Sequence, residues 1–400
     1  MPPVMCDVTE TGPRPPCARL APMSLSLPVD PPGARSLTGV VPQLLRSLAG
    51  DGEWFPAVGS AVLVVIDGLG RANLSARAGH ARFLTSAMTK RDAARTVFPA
   101  TTATALTSLL TGVDAGVHGI VGYRARIPGT LRAPNQLKGW ETDGLDPLTW
   151  QRAQPLLERE AAAGRPVYVV SKALYRDSGF TRAIQRGAEF VAAASVEERL
   201  ETAAALAASH RGALVYVYVP ELDTIGHARG WESEEWLAAL EGVDAALRRF
   251  EQAAARETGA VVTADHGMVD VPSHRHVLLS DGDDLLDEVE LVAGEPRLLQ
   301  LTTTAGAAER VAARWREREQ SRSWVLSRDE VIAAGLFGSR VDAEVLPRIG
   351  DVLVAARGAV AYYDDRLEDK KPQRMIGQHG SLTEQERVVP LISLGAFRRR

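Results

Sequence analysis

The chain has few cysteines and no long apolar run. Its two cysteines, Cys6 and Cys17, both lie in a proline-rich N-terminal stretch, which excludes a disulfide bond within a folded core. No stretch approaches the roughly 18 consecutive apolar residues of a membrane span, so we expect no contact with a membrane. The first twenty residues also lack the continuous apolar segment of a secretory signal. We therefore expect a cytoplasmic location.

The chain also lacks a strong charge of either sign. Its formal net charge is −4 over 400 residues, and no basic tract stands out beyond the last three arginines. This balance gives no electrostatic footprint for a nucleic-acid polymer, which we do not expect as a partner. Hydrophobic residues make up 45% and charged residues 24% of the chain, as is usual for a globular protein.

Short apolar, β-branched runs alternate with helix-like segments rich in alanine, leucine and arginine. Strands that are apolar throughout and separated by helices predict an α/β fold, with a largely parallel central sheet and helices on both faces. The strand-like runs are 61–66, 166–170, 213–219, 260–263 and 352–355, and the helix-like segments include 148–163, 196–209 and 232–257.

The pattern also predicts the organisation of the chain. Residues 1–36 read as a disordered N-terminal tail, in which Met23 is an alternative start, and residues 37–400 as one catalytic domain. Within that domain, residues from about 272 to 348 contain acidic turns, a strand-like run and helix-like segments. We interpret them as an inserted small α+β subdomain.

Residues of the kind that bind metals recur where strand-like runs end. Ligands of parallel sheets bind beyond the carboxyl ends of the strands, so we expect these side chains to gather there. Three aspartates and three histidines suffice for two divalent metal ions, which indicates metal-assisted hydrolysis of a phosphate ester. The candidates are Asp67, Asp223, His227, Asp265, His266 and His379.

The local spacing of these candidates supports the same interpretation. Asp223 and His227 are four residues apart, so a helical turn would place both on one face. Asp265 and His266 are adjacent and need an irregular turn, which Gly267 permits. His379 lies in a glycine-flanked segment far from the others in sequence.

A hydroxyl-rich segment, FPATTATALTSLLTG, lies between the first and second groups of candidates. A hydroxyl at the start of the predicted helix would benefit from the helix dipole and from free backbone N–H groups. Thr101, Thr102 and Thr104 are all candidates for a nucleophile, and the structural alternative is that they cap the helix.

Taken in order, five segments resemble the alkaline phosphatase superfamily, and most of all its nucleotide pyrophosphatase/phosphodiesterase branch. The resemblance runs from Val62 to about Leu391. The segments are VVIDGLG, FPATTATALTSLLTG with GVHGIVGY, ELDTIGH, TADHGM and GQHGS.

The resemblance implies a site with two divalent metal ions, most simply zinc, with manganese as the alternative. The implied ligands are Asp223, His227 and His379 for one ion and Asp67, Asp265 and His266 for the other. Counting back nine residues from Thr111, as in the family, gives Thr102 as the nucleophile, and Thr96 is the rival. Tyr123 stands where diesterases of the family carry an asparagine that binds a phosphoryl oxygen, and Arg124 or Arg126 could add positive charge there.

The implied activity is hydrolysis of a small-molecule phosphoester, with a nucleotide as one candidate, through a phosphothreonine intermediate. Phosphate monoester or phosphonate hydrolysis by the same groups is the alternative, and a catalytically silent metal-binding protein is a third hypothesis. The nucleophile segment lacks a sulfatase signature. His274 and His276 in the predicted insertion could line a leaving-group pocket or be surface histidines.

Overall fold

The structure is a computed structural model that describes residues 26–398. Residues 1–25, with Cys6, Cys17, Met23 and most of the predicted tail, lie outside the described residues. Within the described part, the strands in chain order are β1 (Ser60–Ile66), β2 (Ala93–Arg95), β3 (Val167–Ser171), β4 (Glu189–Ala192), β5 (Leu214–Val219), β6 (Thr258–Thr263), β7 (Val269–Asp270), β8 (His276–Leu279), β9 (Val289–Glu295), β10 (Leu298–Thr303), β11 (Ser323–Ser327), β12 (Val352–Ala356), β13 (Ala361–Asp364), β14 (Gly377–Gln378) and β15 (Val388–Gly395).

The α-helices of the same residues are α1 (Val40–Ala49), α2 (Arg71–Ala76), α3 (Arg82–Ala87), α4 (Thr102–Thr111), α5 (Ala115–His118), α6 (Trp140–Asp143), α7 (Leu156–Ala162), α8 (Gly179–Ile184), α9 (Val196–Ser209), α10 (Glu221–Arg229), α11 (Glu234–Ala253), α12 (Ala308–Glu319), α13 (Arg328–Ala333) and α14 (Glu384–Arg387). None of them is long and apolar enough to cross a membrane.

The central sheet has seven strands in the order β2-β15-β6-β1-β5-β3-β4. The five strands from β6 to β4 run parallel, whereas β15 is antiparallel to β6 and β2. All seven residues of β1 are buried, as expected for an apolar run covered on both faces. The predicted α/β fold with a largely parallel sheet is confirmed.

The register of the three central strands brings their carboxyl ends to one edge. Ile66 of β1 pairs with Val219 of β5, and Val65 pairs with Thr263 of β6. The residues that follow these strands therefore leave the sheet side by side. This places three of the predicted ligand segments next to one another.

Two of the helix-like segments match helices closely, and one does not. Helix α9 has the predicted bounds and begins with a capping box between Ser195 and Glu198. Helix α11 is slightly shorter than expected, starting after the cap residue Ser233. The segment 148–163 forms only α7, because Pro155 disfavours helical backbone at the residue before it.

A second, antiparallel sheet has the strand order β11-β12-β10-β9, and α12 packs on it through the buried Trp315. The run 352–355, which the pattern grouped with the parallel strands, forms β12 of this sheet instead. Strand β12 lies between two neighbours and is buried throughout, and apolar periodicity cannot distinguish such a strand from a parallel one. This unit overlaps the predicted insertion at 272–348 but continues beyond it.

The described end of the predicted tail, residues 26–36, contacts the domain. Asp30 accepts a hydrogen bond from Arg387 at 2.9 Å and lies 3.7 Å from Arg95. Ser36 forms a bridge with Arg95 beside β2. These contacts fix the chain that leads into the first helix.

Candidate active site

The first group of candidate ligands lies at the ends of β1 and β6. Asp67 follows β1 directly, and Asp265 and His266 follow β6 through the irregular turn expected around Gly267. The His266 Nε2 atom lies 3.4 Å from Asp67 Oδ1 and 3.4 Å from Asp265 Oδ2. All three side chains are buried, and their ligand atoms lie within 4.8 Å of one another.

The second group combines α10 with the loop after β14. Asp223 and His227 lie one turn apart on α10, with Oδ1 and Nε2 separated by 3.3 Å. His379 Nε2 is 3.3 Å from His227 Nε2 and 3.8 Å from Asp223 Oδ1. This group is the more open one, since the side chain of His227 is 20% exposed.

The two groups touch and form one cluster. The His266 and His379 rings stack with centroids 3.6 Å apart and planes inclined by 15°. Asp223 also has a ligand atom within 4.8 Å of both rings. The structure thus brings together all six side chains that the sequence singled out as ligands.

In each histidine of the cluster, Nε2 faces the other ligands and Nδ1 contacts a backbone carbonyl oxygen. The Nδ1 atoms lie near backbone carbonyl oxygens, at 2.7 Å from Gly377 for His227, 3.0 Å from Ala100 for His379 and 3.1 Å from Gly267 for His266. When Nδ1 carries the proton and donates it to the carbonyl oxygen, Nε2 is left free to bind a metal. Such a hydrogen bond from the second ring nitrogen is typical of metal-binding histidines.

In Asp265 and Asp67, one carboxylate oxygen accepts hydrogen bonds and the other faces the cluster. Asp265 Oδ1 accepts hydrogen bonds from the backbone N–H groups of Gly68 and His266, and Asp67 Oδ2 accepts one from the Tyr218 hydroxyl. Asp67 Oδ1, Asp265 Oδ2 and Asp223 Oδ1 are buried and have no hydrogen-bond partner among the described residues. Buried carboxylate oxygens without partners are costly, so this donor set fits divalent cations.

The electrostatics of the cluster lead to the same conclusion. Burial raises the pKa of Asp67 well above its usual range, and the Asp265 and Asp223 carboxylates add to the rise. Burial lowers the pKa of His379 well below its usual range, with His266 and His227 adding to the fall. Cations would relieve the repulsion among the carboxylates and would favour neutral imidazoles.

Thr102 is the first residue of α4, and its hydroxyl lies in the cluster. The Oγ1 atom is 3.1 Å from His266 Nε2. Thr101 occupies the N-cap position without a capping side-chain hydrogen bond. The N–H groups of the first turn of α4 therefore point toward the space beside the Thr102 hydroxyl.

The hydroxyls of the other candidate threonines form no hydrogen bond to the cluster within the described residues. The hydroxyls of Thr101 and Thr104 are buried without partners among residues 26–398. Thr96 follows β2 and lines a separate cavity of about 660 Å³, together with Phe98 and Arg387.

Tyr123 lies near the cluster, whereas Arg124 is engaged with a neighbouring loop. Burial raises the pKa of Tyr123, and the carboxylates of Glu295 and Asp223 contribute to the rise. Arg124 Nε donates to the Ala133 carbonyl oxygen at 3.0 Å, and Arg126 Nε donates to that of Thr130 at 2.9 Å.

The two histidines of the predicted insertion do not join the cluster. His274 is exposed. His276 Nε2 lies 3.3 Å from the Val271 carbonyl oxygen, and its ring packs against Tyr363.

Two functional contacts escaped the sequence analysis. Tyr218, which donates a hydrogen bond to Asp67, is one of two tyrosines in the otherwise apolar strand β5, and those hydroxyls were the available signal. Glu295 is the last residue of β9, Arg297 lies in the tight connection to β10, and both side chains are buried.

Glu295 is unusual because neither carboxylate oxygen has a hydrogen-bond partner among the described residues. Burial raises its pKa to about 8, and the Glu386 carboxylate adds to the rise, while the nearby Thr101 hydroxyl acts in the opposite direction. The side chain therefore carries a proton at neutral pH.

The family model "Type I phosphodiesterase / nucleotide pyrophosphatase" matches residues 61–382. The chain therefore belongs to this family, and it is a metal-dependent hydrolase acting on phosphoester bonds. A search of curated proteins gives no match.

Solved structures of the alkaline phosphatase superfamily share the fold. Murine ectonucleotide pyrophosphatase/phosphodiesterase 5 is 16% identical with a TM-score of 0.64, over 84% of this chain and 88% of its own. An inactive threonine-to-alanine variant of that protein was solved in complex with AMP. Phosphonoacetate hydrolase from Sinorhizobium meliloti 1021, in complex with phosphonoacetate, is 20% identical with a TM-score of 0.62, over 86% and 92% of the two chains.

Replacing one ligand of the more open group tests the metal centre. We expect His227→Ala to lower the metal content from about two ions per chain to about one, because one group loses an imidazole. Elemental analysis of the folded protein measures the content. His80→Ala is the matched control, since His80 pairs with Glu241 on the surface. Equal metal contents in the two variants would contradict the assignment of His227.

The pKa of Glu295 predicts a pH dependence of stability. Because the folded protein keeps this proton up to about pH 8 and the unfolded chain loses it near 4.5, the free energy of unfolding falls as pH rises between these values. The slope for one proton is at most about 1.4 kcal/mol per pH unit. Glu295→Gln should flatten this decline, as measured by urea unfolding at pH 5 and pH 8. An unchanged slope would mean that Glu295 is ionised in the folded protein.

Proposed function

We propose that the protein is a phosphodiesterase or pyrophosphatase that uses Thr102 as its nucleophile at a two-metal site. The observation that carries the proposal is the position of the Thr102 hydroxyl. It lies 3.1 Å from His266 Nε2, at the N-terminus of α4 and beside carboxylate oxygens that have no partners in the described chain. A hydroxyl in such a place can attack phosphorus while the helix N-terminus holds the phosphoryl oxygens.

The ligand groups would be Asp67, Asp265 and His266 for one ion and Asp223, His227 and His379 for the other. Two bound divalent cations would supply positive charge to the phosphoryl oxygens and would lower the pKa of the attacking hydroxyl. We propose zinc over manganese because the donor set mixes imidazoles with carboxylates.

The residues of this chain then define the reaction. Thr102 Oγ1 forms the new bond to phosphorus as the bond to the leaving oxygen breaks, which gives a phosphothreonine and a released alcohol or phosphate. The hydroxyl proton passes to solvent. Water then cleaves the phosphothreonine and restores the hydroxyl. The inactive threonine-to-alanine variant of the murine relative supports a threonine in this role.

The proposed substrate is a small-molecule phosphodiester, with a nucleotide as one candidate. Binding of AMP by the murine relative supports this choice. We propose that the Tyr123 hydroxyl contacts a phosphoryl oxygen in place of the asparagine expected from the family, with Arg124 close by. Monoester or phosphonate hydrolysis is the second candidate, supported by the likeness to phosphonoacetate hydrolase and by Tyr123 at the asparagine position.

Removing the proposed nucleophile tests its identity. We expect Thr102→Ala to lower kcat by on the order of 10⁴-fold or more while leaving the metal content unchanged, because the covalent route is lost. Steady-state kinetics with an aryl phosphodiester and elemental analysis measure the two effects. Thr96→Ala is the matched control, and a comparable loss of activity there with a mild effect at Thr102 would transfer the role to Thr96.

Turnover of matched substrates tests the substrate class. We expect the zinc-loaded protein to hydrolyse bis(4-nitrophenyl) phosphate with a higher kcat/KM than 4-nitrophenyl phosphate. The reason is that the site offers few positively charged side chains to bind the second negative charge of a monoester. Release of nitrophenolate measures both reactions. A preference for the monoester, or release of phosphate from phosphonoacetate alone, would favour the second candidate.

A further inference from the structure

A buried ion pair joins the second sheet to the chain segment behind the active site. Arg297 lies between β9 and β10, and Glu386 lies in α14, just before β15. The guanidinium binds the carboxylate through two hydrogen bonds, from Nε to Oε1 at 2.7 Å and from Nη2 to Oε2 at 2.8 Å. Both side chains are 0% exposed. Arg297 Nη1 also donates to the carbonyl oxygens of Gly358 and Val360.

Glu386 in turn contacts both loops that carry stacked histidines of the cluster. Its backbone carbonyl accepts a hydrogen bond of 2.8 Å from the N–H of Gly267, the residue after His266. Its carboxylate accepts one of 3.0 Å from the N–H of Ser381, two residues after His379. One residue therefore fixes the position of one loop relative to the other.

Each of the two loops packs closely against its neighbours at a glycine. A Cβ atom on Gly267 would lie 2.8 Å from the Gly70 Cα atom and would overlap the Gln385 carbonyl oxygen. A Cβ atom on Gly380 would lie 2.6 Å from the Glu295 Cγ atom. Glu295, the last residue of β9, therefore packs against the His379 loop, and Arg297 is linked to the same loop through the Glu386 carboxylate.

We propose that the Arg297–Glu386 pair is a positioning device that sets the distance between His266 and His379, and hence the spacing of the two metal ions. The inference rests on the proposed function, because it presumes a two-metal site. It assigns a role in the active site to Arg297, in the connection between two strands of the second sheet, and to Glu386 in α14.

Stability alone gives a poor account of such a pair. The desolvation of two buried charges offsets much of their attraction, so replacing a buried ion pair by apolar residues is often neutral or stabilising. A doubly hydrogen-bonded arginine and carboxylate, by contrast, have one preferred relative orientation. That fixed geometry is what a support for two ligand loops requires.

The experiment compares two buried glutamates in the zinc-free protein titrated with zinc. Glu386→Gln removes the charge that binds Arg297. Glu319→Gln is the matched control, because Glu319 is also 0% exposed and accepts two hydrogen bonds from Arg322, but its hydrogen bonds come from Arg322 and Tyr362 and not from a ligand loop. Both variants should have a lower Tm than the wild type. We expect only Glu386→Gln to weaken zinc binding, by about 10–100-fold, as measured by competition with a chromophoric chelator.

A second variant covers the case in which Glu386→Gln does not fold. Arg297→Met combined with Glu386→Gln leaves no unpaired buried charge, so it should regain part of the lost Tm while its zinc affinity stays low. Wild-type zinc affinity in this folded double variant, or in Glu386→Gln, would overturn the positioning role. Failure of the wild type itself to bind two zinc ions would instead refute the proposed function and remove the basis of the inference.

Discussion

The constraint on which the site depends is the burial of three carboxylates within reach of one another. Asp67, Asp223 and Asp265 each expose one oxygen to the cluster and keep no partner for it among the described residues. The Asp67 and Asp265 side chains are almost completely buried, so the repulsion between them is weakly screened. Surrounding groups hold the ligand atoms in place despite this repulsion. Tyr218 donates a hydrogen bond to Asp67, and backbone carbonyl oxygens contact the Nδ1 atoms of His227 and His379. Cations bound at this place would offset the repulsion among the carboxylates.

Much of this arrangement could be predicted from local sequence. The runs that end at Ile66, Val219 and Thr263 are largely apolar and buried, and parallel strands of that kind share one carboxyl edge. A polar residue directly after such a run is therefore conspicuous, as Asp67 is. The spacing of Asp223 and His227 required only a helical turn. Together these local signals were sufficient for the fold class and for the ligand set that the structure brings together.

The rest depends on contacts between residues far apart in the chain. Strand β12 is as apolar as a parallel strand, and only its pairing with β10 and β11 reveals which sheet it joins. The support of the histidine loops by Arg297 and Glu386 joins residues separated by 89 positions, and neither lies in a recognisable motif. The identity of the metal and the cytoplasmic location stay predictions, since both depend on the surroundings of the protein as well as on its fold.

The position of β15 has a consequence for the order in which the enzyme is made. This strand lies between β6 and β2, and β2 pairs with no other strand of the central sheet. Chains emerge from the ribosome with the N-terminus first, so Asp67 and Asp265 are synthesised long before His379 and the strand that follows it. A nascent chain thus carries five of the six candidate ligands while its central sheet still lacks β15. The candidate site is complete only once His379 has been synthesised.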